Sequence, residues 1–382
     1  MKTTDFKIRA TVAAGLESLV GKELKDLGIE YRMENGYAEF FGDFETIAQC
    51  NIWLRTADRL KIVVGEFKAF EWDELFEKVK AIPWEDYLSA DANFPVAGRS
   101  IKSKLFSTPD AQRLTKKAIV DRLRAAYKLP EYRPLRENGP KYSLEVALLK
   151  DTVSLLLDTT GPSLFKRGYR VEKGGAPLKE NMAAALVMLT NWRNDLPFYD
   201  PTCGSGTIAI EAAMIGLGMA PGNMRDFDFE FWTQVPKGLV DGVRAEADDK
   251  VDYDAKLDIL ACDIDHKLVE IAKENAQNAG VADSIEFKQM RAEDFTTDKE
   301  VGVILSNPPY GERLNEVDYV HKLYRGMGNV YKQLPYWSKY ILASDEDFEH
   351  YYGAKATKKR KLYNGAMRVD LYQYWGQRKP RD

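Results

Sequence analysis

Cysteine and histidine are scarce in this 382-residue chain. Cys50, Cys203 and Cys262 are odd in number and far apart, which argues against a disulfide framework and for a reducing, cytoplasmic setting. His266, His321 and His350, with no Cys-x-x-Cys, leave too few ligands for a structural zinc site, so no metal is expected. Long apolar runs are missing as well. Asp5, Lys7, Arg9 and Glu17 interrupt the first twenty residues, which speaks against a signal peptide, and no later stretch approaches the ~18 apolar residues of a membrane span. With 45% apolar and 30% charged residues, the chain can bury a large core in two or three domains.

The net charge of -4 is unevenly spread. Residues 99–136 carry eleven Lys/Arg against Asp110, Asp121 and Glu131, and residues 354–368 add six basic groups and no acid. Residues 226–258 hold ten acids against four bases and read as a solvated surface insertion. A local basic stretch matters more to an anionic partner than the sum does, although a solvated helix face explains such a run equally well.

Up to residue 160 the chain mixes short strands and amphipathic helices. Strands are expected at 5–12, 37–41 and 58–68 with helices at 15–27 and 43–50. A second group follows, with helices near 72–80 and 110–128 and strands at 95–101, 142–149 and 152–158. Gly161-Pro162 breaks this pattern, and a Gly-, Lys- and Arg-rich linker follows. The expected organisation is therefore 1–66, 67–160, a basic linker at 161–180, and a domain at 181–382. The last alternates strand and helix, with strands at 197–200, 257–262, 284–289, 301–306 and 339–344. A final pair at 359–363 and 368–375 is joined by Asn364-Gly365, a strong hairpin signal. This is an α/β, Rossmann-like parallel sheet ending in an antiparallel hairpin strand, whose ligand belongs at the carboxyl ends of the strands.

Asp200-Pro201-Thr202-Cys203-Gly204-Ser205-Gly206-Thr207 follows the first of these strands and opens a helix at 207–215. Gly204 and Gly206 let the backbone pass beneath a ligand, and the run also fits a dinucleotide fingerprint with Ala209 in the third glycine position. Two features favour S-adenosylmethionine (SAM). Asp200 suits an ammonium and is awkward beside a pyrophosphate. Asp263, with Ile264 beside it, ends the next strand where ribose hydroxyls can be accepted, and Asp294-Phe295 lies where an adenine amino group can be. Asp265 is more simply a helix N-cap, and Cys203 a small residue packed beneath the ligand.

Asn307-Pro308-Pro309-Tyr310 follows an apolar strand about a hundred residues downstream. An amine conjugated to a ring is a poor nucleophile because its lone pair is delocalised. The Asn307 side-chain oxygen and the Pro308 carbonyl can accept its two hydrogens and localise the pair. The prolines fix the backbone that presents those acceptors, and Tyr310 offers a face for stacking. The chemistry expected is methyl transfer by positioning and electrostatics, without a covalent intermediate. Asn307 also borders the cofactor.

With these motifs the chain resembles bacterial THUMP-domain RNA methyltransferases of the group that makes N2-methylguanine in large-subunit ribosomal RNA. The resemblance spans nearly the whole chain. It rests on Ala14–Glu17 with Glu23-Leu24, Lys166–Arg170, Ala176–Glu180, Asp200–Thr207, and Asn307–Gly311 followed by Glu312-Arg313-Leu314. It implies a ferredoxin-like unit, a THUMP module that grips RNA, and a SAM-dependent domain. The expected partner is ribosomal RNA, free or in an assembling large subunit. Lys102, Lys104, Arg113, Lys116 and Lys117 in the basic stretch, and Lys166, Arg167 and Arg170 in the linker, are the RNA-contact candidates. Phe165 stands where related sequences commonly have His, which argues against proton transfer there and leaves stacking open.

Other readings of the same residues are an amino methyltransferase acting on adenine N6 or a protein glutamine, and a catalytically silent RNA-binding protein. A nicotinamide oxidoreductase would leave Asn307–Tyr310 unexplained.

Overall fold

The computed structural model describes residues 5–130, 135–171, 178–311, 317–365 and 367–378. Ala176-Pro177, Arg133 and Glu312–Leu314, which the sequence singles out, lie outside these. The chain forms two units. The first comprises Met1–Val12, Val20–Leu164 and Arg225–Glu246; the second comprises Ala13–Leu19, Phe165–Met224 and Ala247–Asp382.

The elements up to residue 160 are β1 (Phe6–Val12), α1 (Glu17–Asp26), β2 (Tyr31–Glu34), β3 (Tyr37–Gly42), α2 (Phe44–Trp53), β4 (Ala57–Lys68), α3 (Trp72–Ala81), β5 (Val96–Ile101), α4 (Thr108–Ala126), β6 (Ser143–Leu149) and β7 (Thr152–Asp158). The strands of both expected modules join one sheet in the order β2-β3-β1-β4-β7-β6-β5. Twelve-residue β4 makes this possible by pairing with β1 on one side and β7 on the other. Alternation sorts its faces: Ile8, Ala10, Phe40, Leu60 and Ile62 are buried on one side, while Arg9, Glu39 and Lys61 stand in register on the other. Asp43 caps α2 through the Thr46 N–H (3.0 Å), and Ser107 caps α4.

The remaining elements are α5 (Glu180–Leu189), β8 (Phe198–Asp200), α6 (Thr207–Gly216), α7 (Leu239–Asp248), β9 (Ile259–Asp263), α8 (His266–Asn278), β10 (Glu286–Gln289), β11 (Gly302–Ser306), α9 (Val317–Tyr331), β12 (Trp337–Ala343), α10 (Phe348–Tyr352), β13 (Lys358–Asn364) and β14 (Met367–Tyr374). The strands order as β10-β9-β8-β11-β12-β14-β13, with β10 through β12 parallel and β14 and β13 antiparallel. This is the expected Rossmann-like sheet with its terminal hairpin. Every residue of β8, β11 and β12 is buried, as strands covered on both faces must be. No described helix is long and apolar enough to cross a membrane.

The acidic stretch departs from expectation. Its first part is not a solvated insertion: Phe227, Phe229 and Trp232 are buried within the first unit. Trp232 stacks on Tyr142 at 4.8 Å and donates to the Lys141 carbonyl, while Gln234 accepts from Tyr142 and donates to the Tyr87 carbonyl. Its carboxylates are partly consumed internally, Glu230 by Arg244 and Asp228 by Lys141. Charge density made the segment look solvated; the aromatics between the charges decide where it goes.

Candidate active site

The turn after β8 is fixed by backbone groups. Cys203 N–H donates to the Cys262 carbonyl (2.7 Å), and Gly204 N–H donates to Asp263 Oδ2 (3.0 Å). Gly204 and Gly206 have φ of +54° and +82°, where a side chain is strained. A Cβ on Gly204 would meet nothing within 4 Å, so the turn leaves open space above it. A Cβ on Gly206 would lie 2.9 Å from that of Ala272 on α8. Asn275, buried on α8, donates to the Ser205 carbonyl (2.9 Å) and accepts from Val171 N–H (2.8 Å). Pro201 is buried and Thr207 is 4% exposed.

Asp200 is fully buried, and neither of its carboxylate oxygens has a well-formed hydrogen bond. Burial pushes its carboxyl well above the usual range. The facing Thr202 N–H opposes the shift and the negative charge of Asp263 reinforces it. An orphaned buried acid beside an open glycine turn fits a ligand that brings an ammonium. Asp263 accepts one backbone bond on each oxygen, from Gly204 and from Asp265 N–H (2.9 Å), which leaves a lone pair on each for a diol. Ile264 beside it is an exposed apolar side chain at 48%. Asp265 caps α8 through Lys267 N–H (2.8 Å), as the sequence suggests.

The catalytic-loop candidate leaves β11 next to this turn, because β8 and β11 are parallel neighbours. Ser306, fully buried at the end of β11, shares a hydrogen bond of 2.9 Å with Thr202 Oγ1, tying the two loops together. Tyr310 donates to Asn307 Oδ1 at 2.8 Å, so its hydroxyl uses one of the two lone pairs on that oxygen. Burial pushes the Tyr310 hydroxyl up to about 12, and the Asn364 side chain at the tip of the β13–β14 hairpin pulls the other way. Pro308 is buried and Pro309 exposed.

Four expectations need correcting. Phe295 is a core residue, 6% exposed, stacked on Tyr199 at 3.9 Å and edge-on to Trp337, so its ring does not face a ligand. Neighbouring Asp294 is exposed. Arg167 is 2% exposed and paired with buried Glu211, which also accepts from Tyr169. Breaking such a pair strands a buried charge at about 3–5 kcal/mol, a cost incompatible with leaving it to meet phosphate. Arg170 donates to Glu180, the Leu178 carbonyl, Ser205 Oγ and Thr207 Oγ1, so it braces the cofactor turn. Lys116 is committed to Glu137 and the Phe94 carbonyl, above the Phe94 ring at 3.6 Å. Lys102, Lys104, Arg113, Lys117 and Lys166 are exposed. Cys203 is buried, and burial raises its thiol well above the usual range, which removes it as a nucleophile. Arg170, Asn275, Ser306 and Asn364 are the site's contributors that sequence reading missed or misassigned. No cluster of three or more metal-ligating side chains occurs among the described residues.

The sheet order, the glycine turn and the Asn-Pro-Pro-Tyr loop together define a SAM-dependent methyltransferase, and the comparisons agree. Residues 167–373 match UPF0020, the RMKL-like methyltransferase domain; 7–61 match the RlmL ferredoxin-like domain and 70–158 the THUMP domain. "Putative RNA methyltransferase YpsC" of Bacillus subtilis is 52% identical over 98% of this chain and 97% of its own length. "Ribosomal RNA large subunit methyltransferase K/L" of Syntrophotalea carbinolica is 34% identical over 97% of this chain, which spans 53% of that longer protein. The crystal structure of SMU.472 complexed with SAH superposes with a TM-score of 0.95 at 55% identity, covering both chains completely. The crystal structure of a "predicted N6-adenine-specific DNA methylase" from Listeria monocytogenes superposes with a TM-score of 0.94, with 55% identity over 98% of this chain and 97% of that one. The chain belongs to the RMKL-like methyltransferase family, a family of SAM-dependent RNA methyltransferases.

Proposed function

We propose that this protein methylates an exocyclic amine of a base in large-subunit ribosomal RNA, guanine N2, in the cytoplasm. The observation that supports the chemistry is the Thr202–Ser306 hydrogen bond (2.9 Å), which joins the loop after the orphaned Asp200 to the loop that begins with Asn307 at the carboxyl ends of two central strands. Guanine is supported by the resemblance to ribosomal K/L methyltransferases; the loop reads an amine and not the ring that bears it.

In this reading SAM supplies an electrophilic sulfonium methyl when bound. Asp200 receives the ammonium of its amino-acid end, Asp263 the ribose hydroxyls and Asp294 the adenine amine, while Gly204 and Gly206 leave room for the backbone approach. Asn307 Oδ1 uses its second lone pair to accept one amine hydrogen, and the Pro308 carbonyl accepts the other. The amine nitrogen is then drawn toward tetrahedral geometry, with its lone pair aimed at the methyl. Acceptors fixed before the reaction stabilise the positive charge that develops on nitrogen without reorganising. A target within structured RNA must be extruded or already unpaired, at about a few kcal/mol.

Purified protein with methyl-labelled SAM and ribosomal RNA lacking the modification, followed by nucleoside analysis, tests the target. Labelled N2-methylguanosine is the expected product; N6-methyladenosine would retain the loop chemistry and replace the base, the reading that the name of the Listeria protein favours. Asn307→Ala is expected to reduce transfer by at least ~100-fold with SAM affinity unchanged. Near-normal turnover in that variant would remove Asn307 from the mechanism.

A further inference from the structure

The seven-stranded sheet of the first unit carries a groove of about 670 Å³ on the face that Arg9 and Lys61 share. It runs from β3 to β5, five inter-strand spacings, or roughly 24 Å at ~4.8 Å each. α4 packs against the other face, where a Cβ on Gly98 would meet Gln112 and Thr108, so the groove is separate from the helical basic stretch.

Charge on this face is neutralised at one end and left over at the other. Around β1 the account closes: Arg9 donates to Glu39 (3.0 Å), Glu66 (2.6 Å) and Ser154 (3.3 Å), above the Tyr37 ring at 4.5 Å, and Lys7 takes the remaining contacts to the same two carboxylates. Toward β5 it does not close. Lys61 and Arg99 share the single carboxylate of Glu145. Lys68 donates to the Lys150 carbonyl, which neutralises nothing, and among the described residues neither Lys68 nor Lys150 has a carboxylate partner. Beside these cations stand Ile101 and Leu149, directly paired in register and 49% and 54% exposed. The loop that continues from Ile101 carries Lys102, Lys104 and Phe106, the last 81% exposed.

Excess cations flanking exposed apolar side chains on an open sheet match a chain that alternates phosphates with planar bases. We propose that this groove holds a single-stranded segment of the RNA substrate. Phosphates lie at Lys68, Arg99 and Lys150, and a base packs against Ile101 and Leu149. The inference rests on the reading that the substrate is RNA.

The full-length chain tests it with in vitro transcribed large-subunit ribosomal RNA. Lys68→Glu/Lys150→Glu and the milder Lys68→Gln/Lys150→Gln are compared with Lys22→Glu/Lys25→Glu on α1, which alters net charge equally without touching the groove. Melting temperature and SAM binding report the fold. The groove variants are expected to bind RNA at least ~10-fold more weakly, and the glutamine pair to lose about 1.4 from the slope of log affinity against log salt. Their KM for RNA should rise with kcat unchanged, while the α1 variant behaves as wild type. Wild-type affinity and slope in both groove variants would overturn the groove site and leave the methylation reading standing. A wild-type chain that neither binds nor methylates any RNA would overturn both.

Discussion

At the residue scale, Asp200 is the most consequential side chain. An acid held protonated by burial binds more protons folded than unfolded between the ordinary carboxylate pKa and its own raised value. Its contribution to stability therefore falls as pH rises through that window. Asp200→Asn keeps the shape and cannot ionise. Without SAM, the variant is expected to melt higher than wild type at pH 8 and to lose the part of the pH 5 to pH 8 slope that Asp200 supplies. Its SAM affinity should fall roughly 10–100-fold, the worth of one hydrogen bond to a charged group. Parallel melting curves with undiminished SAM binding would remove Asp200 from the cofactor's ammonium. The sequence exposed Asp200 because a carboxylate opens a glycine turn there. It could not expose Arg170 or Asn275, whose partners Ser205 and Thr207 lie 35 and more residues away.

At the scale of elements, strands were the more legible. Alternation, apolar runs and the strand–helix rhythm marked β1 and β3 to β14 within a few residues. β2 was missed because Tyr31-Arg-Met-Glu34 is only four residues long and its alternation rests on Tyr31 and Met33 alone, although the Asn35-Gly36 turn joining it to β3 is as strong a hairpin signal as Asn364-Gly365. Phe295 was misread for the opposite reason: its neighbour Asp294 drew the whole dipeptide toward the ligand, whereas a buried aromatic stack claims the ring. Gly206 is where element packing can be tested. Gly206→Ala places a left-handed φ under a Cβ that abuts Ala272, and is expected to cost about 1–3 kcal/mol in denaturant unfolding. A neutral result would mean that the α6–α8 approach tolerates a methyl group.

At the scale of the whole molecule, the break at Gly161-Pro162 falls close to where the first unit ends and Phe165 begins a segment of the second. The return of Arg225–Glu246 to the first unit was not legible, since the ten acids of 226–258, five of them in this segment, masked three buried aromatics. A fragment of residues 165–382 consequently takes Trp232 away from Tyr142 and Arg225 away from the Thr160, Pro162 and Ser163 carbonyls. It is expected to be poorly soluble and to methylate RNA weakly, as gel filtration and label transfer would show. A monomeric, fully active fragment would contradict this.

That same return has a consequence for biosynthesis. Translation proceeds from the amino terminus at roughly 5–20 residues per second, and about 80 residues separate Leu164 from Glu246, so some 4–16 s pass between them. Throughout that interval the nascent first unit has its sheet strands but lacks the indole that covers Tyr142 and the amide that satisfies the Tyr87 carbonyl. The N-terminal unit is thus completed by residues made after the cofactor turn, and a ribosome stalled just beyond residue 164 would hold it unfinished.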